Sequence, residues 1–305
     1  MYLFLIKKNN SKNIYFSTIE NIKEISNIDN KIKVGLCVMG KNENLYIKEF
    51  VNHYRKLGYD HIFIYDNNNI NGERIEDIVQ QEINEGFISL INLRGYRGKK
   101  NTPLLDAYYH CYENNNKKYN WLSFFDFDEY LELKNNTQNI QEFLSNKRYD
   151  KCQNIKINWL VYSDNDLLFY ENKSIQERFI IPSKFEYENR HIKSTVRGNL
   201  SHNYWKNSIT THSSSGQFKA CTSSGKITDS GNFFHYPPDH KYAYLKHYIT
   251  KSIGEYCNKV KRGRCFSYKL NREYFRMRFD YFFKVNSKTQ KKIDIFNKKF
   301  KLHFS

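Results

Sequence analysis

No run in this 305-residue chain is apolar for long enough to cross a membrane, since a helical span needs about 20 such residues. The opening "MYLFLIKKNN" stops being apolar at Lys7, too soon for the core of a signal peptide. None of the six cysteines (37, 111, 152, 221, 257 and 265) forms a C-x-x-C pair. That argues against a zinc knuckle. In a chain of this size, cysteines scattered among apolar residues read as reduced core thiols and not as a disulfide framework. There is no G-x-x-x-x-G-K-[ST] loop, so phosphate is not gripped by a P-loop. No fixed-period repeat occurs. Acidic residues are in deficit, 32 against 49 Lys and Arg, for a net charge of +17. The excess favours an anionic partner: nucleic acid, a phosphorylated small molecule or an acidic membrane surface. These absences together describe a soluble or peripheral protein of a reducing, cytoplasmic compartment.

Aromatic residues make up 17% of the chain, enough for a substantial core. From residue 31 the pattern is regular. "KIKVGLCVMG" is a buried strand, and "NENLYIKEFVNHYRKLG" has apolar residues at helical spacing, closed by Gly58. "HIFIYDNNN", "FISLINL" and "WLSFFDF" read as further strands; "ERIEDIVQQEINEG" and "TPLLDAYYHCYENN" read as helices between them. This β-α-β-α-β-α-β order predicts an α/β fold with a mostly parallel, Rossmann-like sheet flanked by helices. Ligands of such sheets bind at the carboxyl ends of the strands. Beyond residue 135 the order loosens. "CQNIKINWLVYSDNDLLFY" predicts a strand running into a loop, and "YAYLKHYITKSIGEYCNKVKRG" predicts a helix. Residues 1–30 form an extension with one or two short strands, in "YLFLI" and "NIYF", and 266–305 a basic, aromatic helical segment. In that segment "KKIDIFNKKFKLHF" alternates Lys with Ile and Phe, which suits either a solvated basic face or an anionic membrane surface.

Four acidic residues interrupt the apolar "YNWLSFFDFDEYLEL": Asp126, Asp128, Glu129 and Glu132. An unpaired buried carboxylate is costly. Two carboxylates two residues apart at a strand end point the same way, and hard divalent cations take such oxygen ligands. Asp126 and Asp128 are therefore candidate ligands for Mn²⁺ or Mg²⁺. A lone D-x-D is a weak signal, and Asp164-Asn-Asp166 is a second one. The loop "RGYRGKKN", which includes Lys100, can grip a diphosphate or simply be a solvated surface.

The segments "CVMGKNENLYIKEFVNHYRKLGYDHIFIYDNNN", "WLSFFDFDEYLEL", "KSTVRG" and "HYITKSIGEYCNKVKRG" together resemble glycosyltransferase family 92 and its family-2-like relatives. The resemblance implies a GT-A fold over 31–265, with a nucleotide-sugar-binding half at 31–135 and an acceptor-binding half at 136–265. It implies a nucleotide-sugar donor, most simply a UDP-hexose such as UDP-galactose, held by Val38, Lys41, Asn42 and Glu43. Asp66 and Asn67 would meet the base or ribose. Asp126, with Phe127 beside it, would face the ribose or the metal, and Asp128 the metal itself. His247 ranks first as a third ligand, ahead of His212 and His235; His212 is also a candidate on the substrate side. Lys251 and Arg262, with Lys259 nearby, would neutralise the leaving diphosphate. An inverting transferase needs a general base, for which Asp164, Asp166 and Glu177 are candidates. Trp159 would stack on a glycan or glycolipid acceptor, although core packing is the commoner fate of such a residue. The rivals are a nucleic-acid-binding protein and another metal-dependent nucleotide-processing enzyme using the same carboxylates.

Overall fold

The computed structural model describes residues 17–19, 32–98, 102–200, 219–228, 234–263 and 270–305. The expected alternation is present. Strands β2 (Val34–Gly40), β3 (His61–Asp66), β4 (Ile88–Asn92) and β5 (Trp121–Phe124) are separated by helices α1 (Asn44–Lys56), α2 (Glu76–Asn84) and α3 (Pro103–Asn115). They form a parallel block in the order β4-β3-β2-β5. Because strand side chains alternate between faces, Leu36 and Val38 pack with Ile47, Phe50 and Val51 of α1, whereas Cys37 packs with Tyr108 and Cys111 of α3. Helices therefore cover both faces, and every carboxyl strand end opens on one edge. Helix α3 starts as its sequence suggests: Thr102 accepts a hydrogen bond from the Leu105 amide at 3.2 Å, with Pro103 following.

The sheet continues past β5. Strand β8 (Ile192–Arg197) joins β5 antiparallel, and β7 (Asn154–Val161) joins β8 antiparallel. Strand β11 (Ala243–His247) pairs parallel with β7 and antiparallel with β6 (Glu129–Leu133). At the far edge β1 (Ser17–Ile19) pairs with β4, and the two-residue strands β9 (Ala220–Cys221) and β10 (Ile227–Thr228) form a ladder beside β7. The parallel character thus belongs to the first half, and the second half is mixed. The predicted segments "YLFLI" and "NIYF" lie outside the described residues.

Two expectations need correction. The helix expected from residue 242 begins only at α6 (Ile253–Arg262); residues before it form β11. Ala243, Leu245 and His247 are buried while Tyr244 and Lys246 are partly exposed, the period of two that belongs to a strand. Second, Cys152 and Cys221 are joined in a disulfide, with Cα atoms 5.8 Å apart. The β7–β9 pairing brings them together across 69 residues of sequence, a contact that spacing alone does not reveal. Cys37, Cys111 and Cys257 are free and buried, as expected of core thiols.

The C-terminal residues form α7 (Arg272–Val285) and α8 (Gln290–Phe300). Ile253, Tyr256 and Val260 of α6, Phe279 and Phe282 of α7, and Ile293 and Phe296 of α8 share one apolar cluster. The apolar face of "KKIDIFNKKF" is therefore packed against protein. Helix α6 is anchored by a capping box: Ser252 Oγ accepts from the Glu255 amide at 3.4 Å, while the Glu255 carboxylate accepts from the Ser252 amide at 3.3 Å. Ser252→Ala is expected to lower the unfolding free energy by about 1–2 kcal/mol, readable in urea denaturation; an unchanged midpoint would show that packing alone fixes this end.

Candidate functional site

Strand β5 delivers its chain into the turn Phe125–Asp128, which leads directly to β6. Phe125 and Phe127 point into the core; Phe127 lies 4.7 Å from Phe50, ring to ring. A Cβ on Gly40 would come within 2.6 Å of Phe127, so the glycine lets β2 end against this ring. The turn leaves the Asp126 side chain 35% exposed, whereas Asp128 stays buried. The turn is closed by Glu129, whose carboxylate accepts from the Asp126 amide at 2.8 Å and whose own amide donates to the Asp126 carbonyl at 3.0 Å.

Each aspartate holds a lysine from a different element. Lys193 of β8, fully buried, donates to Asp126 Oδ2 at 2.7 Å and lies 3.5 Å from Glu129 Oε2. Burial opposes the Lys193 charge, but the Asp126 and Glu129 carboxylates hold its ammonium above the usual lysine range. Burial pushes the Glu129 carboxyl well above the usual carboxylate range despite Lys193. Lys259 of α6 donates to Asp128 Oδ2 at 2.5 Å and to the Ile249 carbonyl at 2.9 Å. His247 Nε2 stands 3.6 Å from Asp128 Oδ1, placed there by the register that sets His247 opposite Glu129. Burial works to raise the Asp128 carboxyl, yet Lys259 and His247 together hold it well below its ordinary value. Burial pushes the His247 imidazole down, against the pull of Asp128.

The turn after β2 forms the facing wall. Arg262 Nη1 donates to the Lys41 carbonyl and, at 2.5 Å, to Glu43 Oε1. Lys251 Nζ is 4.0 Å from Glu43 Oε2 and 4.1 Å from the Tyr46 ring centre. Asn42 and Lys251 both take left-handed backbone angles, φ 53 and 54, a conformation that costs free energy outside glycine. Beside the β2 turn lies a cleft of about 1190 Å³, lined by Asn42, Glu43, Lys251, Lys259, Lys261 and Arg262, and Lys259 joins it to Asp128. Exposed Leu45, Phe169 and Tyr170 rim it, and Lys298 and Lys299 of α8 close the outer side. The lining is basic in excess and semi-open, the character that diphosphates require.

Other expected residues lie elsewhere or have other duties. Val38 is fully buried in mid-strand, so its side chain faces the core and not the cleft. Phe127 is likewise a core side chain. Asp66 accepts from Arg94 Nη1 at 3.0 Å and from the Asn68 amide at 2.9 Å, and Asn67 donates to the Leu93 and Tyr96 carbonyls at 3.0 Å. Both therefore organise the loops after β3 and β4. Asp164 is 1% exposed and 2.7 Å from Lys292 Nζ of α8, which also binds Asp166 Oδ1 at 2.7 Å. Glu177 caps α5 (Ile175–Arg178) through a box with Ser174. Trp159 is buried, stacked on His191 at 4.6 Å and edge-on to His247 at 4.1 Å. His235 bonds Thr228 Oγ1 at 3.2 Å. Lys100 and His212 lie outside the described residues. Among the described residues no three or more His, Cys, Asp or Glu side chains are grouped to hold a metal; Asp128 and His247 form a pair, with Asp126 turned to Lys193. Sequence reasoning missed Lys193, Glu129 and Arg94. Lys193 opens the "KSTVRG" segment, but β8 is buried along most of both faces, so no periodicity marks its lysine.

The sequence matches the model of glycosyltransferase family 92 over residues 31–277. The chain belongs to glycosyltransferase family 92. Family 92 proteins of Oryza sativa subsp. japonica and Ricinus communis are 26% and 29% identical over 111 and 108 residues, 36% and 34% of this chain. Those matches cover only 18% and 17% of the relatives' own lengths. Among solved structures, S. aureus TarS residues 1–349 in complex with UDP-GlcNAc aligns over 46% of this chain and 37% of its own, with a TM-score of 0.33 and 16% identity. The mannosyltransferase PcManGT of Pyrobaculum calidifontis, in complex with GDP-Man and Mn²⁺, aligns over 55% and 45%, with a TM-score of 0.32 and 11% identity. No helix of the described residues is long and apolar enough to cross a membrane.

Proposed function

We propose that this family 92 glycosyltransferase moves a hexose from a UDP-sugar to a hydroxyl of a glycan or glycolipid, with inversion, and needs Mn²⁺ or Mg²⁺. The observation that carries the reading is the buried Asp128–His247 pair, joined through Lys259 to a cleft lined with lysine and arginine. The pair fits a cation. The 3.6 Å between Asp128 Oδ1 and His247 Nε2 is longer than a hydrogen bond, and the donor set of one carboxylate and one imidazole is acceptable to Mn²⁺. Mg²⁺ and Mn²⁺ sites of nucleotide enzymes commonly use few protein ligands, the phosphates completing the shell. Asp128 and His247 would hold the ion, which when bound supplies positive charge to the diphosphate.

The chain's own residues do the rest. Lys251 and Arg262 line the cleft as fixed positive charge, positioned before the reaction and so able to favour departure of the nucleoside diphosphate, with Lys259 in the same wall. Lys41, Asn42 and Glu43 shape the turn over which the nucleotide lies, with Asp66 and Asn67 holding the neighbouring loop. Asp126 is held by Lys193 beside the ribose position. Of the three base candidates, Asp164 is buried and Glu177, though exposed, is engaged in the α5 capping box, which leaves Asp166, whose side chain is 71% exposed. It shares a loop with Phe169 and Tyr170, which rim the cleft. Lys292 and Ser287 hold its carboxyl below the usual range, so it is ionised at neutral pH, as a base must be. Exposed Phe169 and Tyr170 offer the acceptor the stacking surface that buried Trp159 cannot. Docking on an anionic membrane would fall to exposed lysines such as Lys298 and Lys299.

The test is a panel of UDP-, GDP- and CMP-sugars with simple sugar acceptors, followed by nucleotide release and product mass. UDP released from a UDP-hexose in the presence of Mn²⁺, with a matching glycoside, is the expected result. Indifference to every donor, together with tight salt-sensitive oligonucleotide binding, would support the nucleic-acid rival instead.

A further inference from the structure

The two aspartates of the turn hold lysines of very different standing. Lys193 is 0% exposed, lies in the middle of the sheet and serves Asp126 and Glu129 together. Its position is fixed by packing on every side. Lys259 is 22% exposed, stands in the wall of the cleft, and reaches Asp128 from α6 with one backbone carbonyl, that of Ile249, as its other partner. A lysine stem is a flexible four-carbon chain with a compact charge at its end. The cleft gives that end somewhere to go, among Lys251, Arg262 and the space a diphosphate would fill.

From this contrast we propose that Lys259 is an exchangeable counter-ion: it neutralises Asp128 in the donor-free protein, leaves when a divalent cation arrives, and moves onto the diphosphate. The inference rests on the donor reading above and adds a coupling to it. An ammonium on Asp128 and a cation on Asp128 compete for the same oxygen. The cation alone must displace Lys259 into a cleft already crowded with positive charge. The nucleotide alone meets a lysine engaged elsewhere. Bound together, each removes the other's obstacle, because the displaced ammonium gains a phosphate partner. Binding linkage is reciprocal, so the factor by which UDP tightens Mn²⁺ must equal the factor by which Mn²⁺ tightens UDP. Lys193 has no such freedom, and Asp126 stays neutralised throughout.

The experiment is a thermodynamic cycle of Mn²⁺ and UDP binding, with Mn²⁺ followed by electron paramagnetic resonance, on wild type, Lys259→Gln and the control Lys284→Gln, an exposed lysine of α7 outside the cleft lining. In the wild type Mn²⁺ is expected to bind weakly alone and about tenfold or more tightly with UDP, within the usual span of coupling factors. Lys259→Gln is expected to bind Mn²⁺ more tightly than wild type without UDP and to lose most of the enhancement; Lys284→Gln should behave as wild type. A readout on the unaltered protein covers misfolding of the variant: amine labelling with mass spectrometry should find Lys259 slow to react alone, faster with Mn²⁺, and slow again with Mn²⁺ and UDP. Equal Mn²⁺ affinity of wild type and Lys259→Gln without nucleotide, or Lys259 labelling unmoved by Mn²⁺, would overturn the exchange while leaving the donor site standing. A wild type that binds neither Mn²⁺ nor UDP would remove the donor reading and this inference with it.

Discussion

Asp128→Asn is expected to reduce transfer by about 10³-fold or more while leaving the fold intact, because loss of positioned charge at a departing phosphoryl group costs on this scale. Two groups converge on this carboxylate, Lys259 at 2.5 Å and His247 at 3.6 Å, while the Tyr248 amide donates to the Asp128 backbone carbonyl at 2.9 Å. Asparagine keeps the shape and the backbone bond but removes the charge that a cation needs. Because Lys259 and His247 keep the Asp128 carboxyl ionised far below neutral pH, the wild-type rate should not fall through protonation of this group between pH 5 and 8. Circular dichroism would confirm the fold, and single-turnover nucleotide release would measure the loss. Activity within a fewfold of wild type would show that Asp128 does not carry the chemistry.

Lys193→Met is expected to be the most damaging substitution to stability, about 3–5 kcal/mol, the usual cost of stranding buried charge by removing its partner. Glu129 has 0% side-chain exposure and Asp126 35%, so Glu129 suffers most. Its direction with pH follows from the raised Glu129 carboxyl. A carboxyl that holds its proton more tightly when folded favours the folded state at acid pH, and that contribution is lost as pH rises through the folded value. Without Lys193 the carboxyl rises further, so thermal melts of Lys193→Met should recover part of the loss between pH 8 and 5. The depressed Asp128 carboxyl acts in the opposite sense, its contribution being lost only as pH falls below its unfolded value of about 3.8, outside that window. A variant as stable as wild type at pH 8 would mean that water or rearrangement solvates Glu129.

Much of the donor edge was legible because it obeys local rules. The alternation of strands and helices to residue 124, Gly58 after α1, and the D-x-D after β5 all follow from periodicity and turn chemistry. His247, which the resemblance groups with Asp128, stands 3.6 Å from it. The contacts made by the second half were not legible. Lys193 meets Asp126 because β8 pairs with β5, a join between segments about 70 residues apart that no local pattern encodes. The same is true of Cys152 and Cys221. Strand β11 was mistaken for helix because its five residues run into a true helical pattern after Ser252. Asp164 was read as a base because it is acidic and close to Trp159 in sequence; only the fold shows Lys292 beside it.

The most direct test is anomalous scattering from manganese in a crystal grown with UDP. The account predicts a manganese peak touching Asp128 and the diphosphate, with the Lys259 ammonium moved off Asp128. UDP seated in the cleft with no manganese at Asp128, and Lys259 still on that carboxylate, would contradict it.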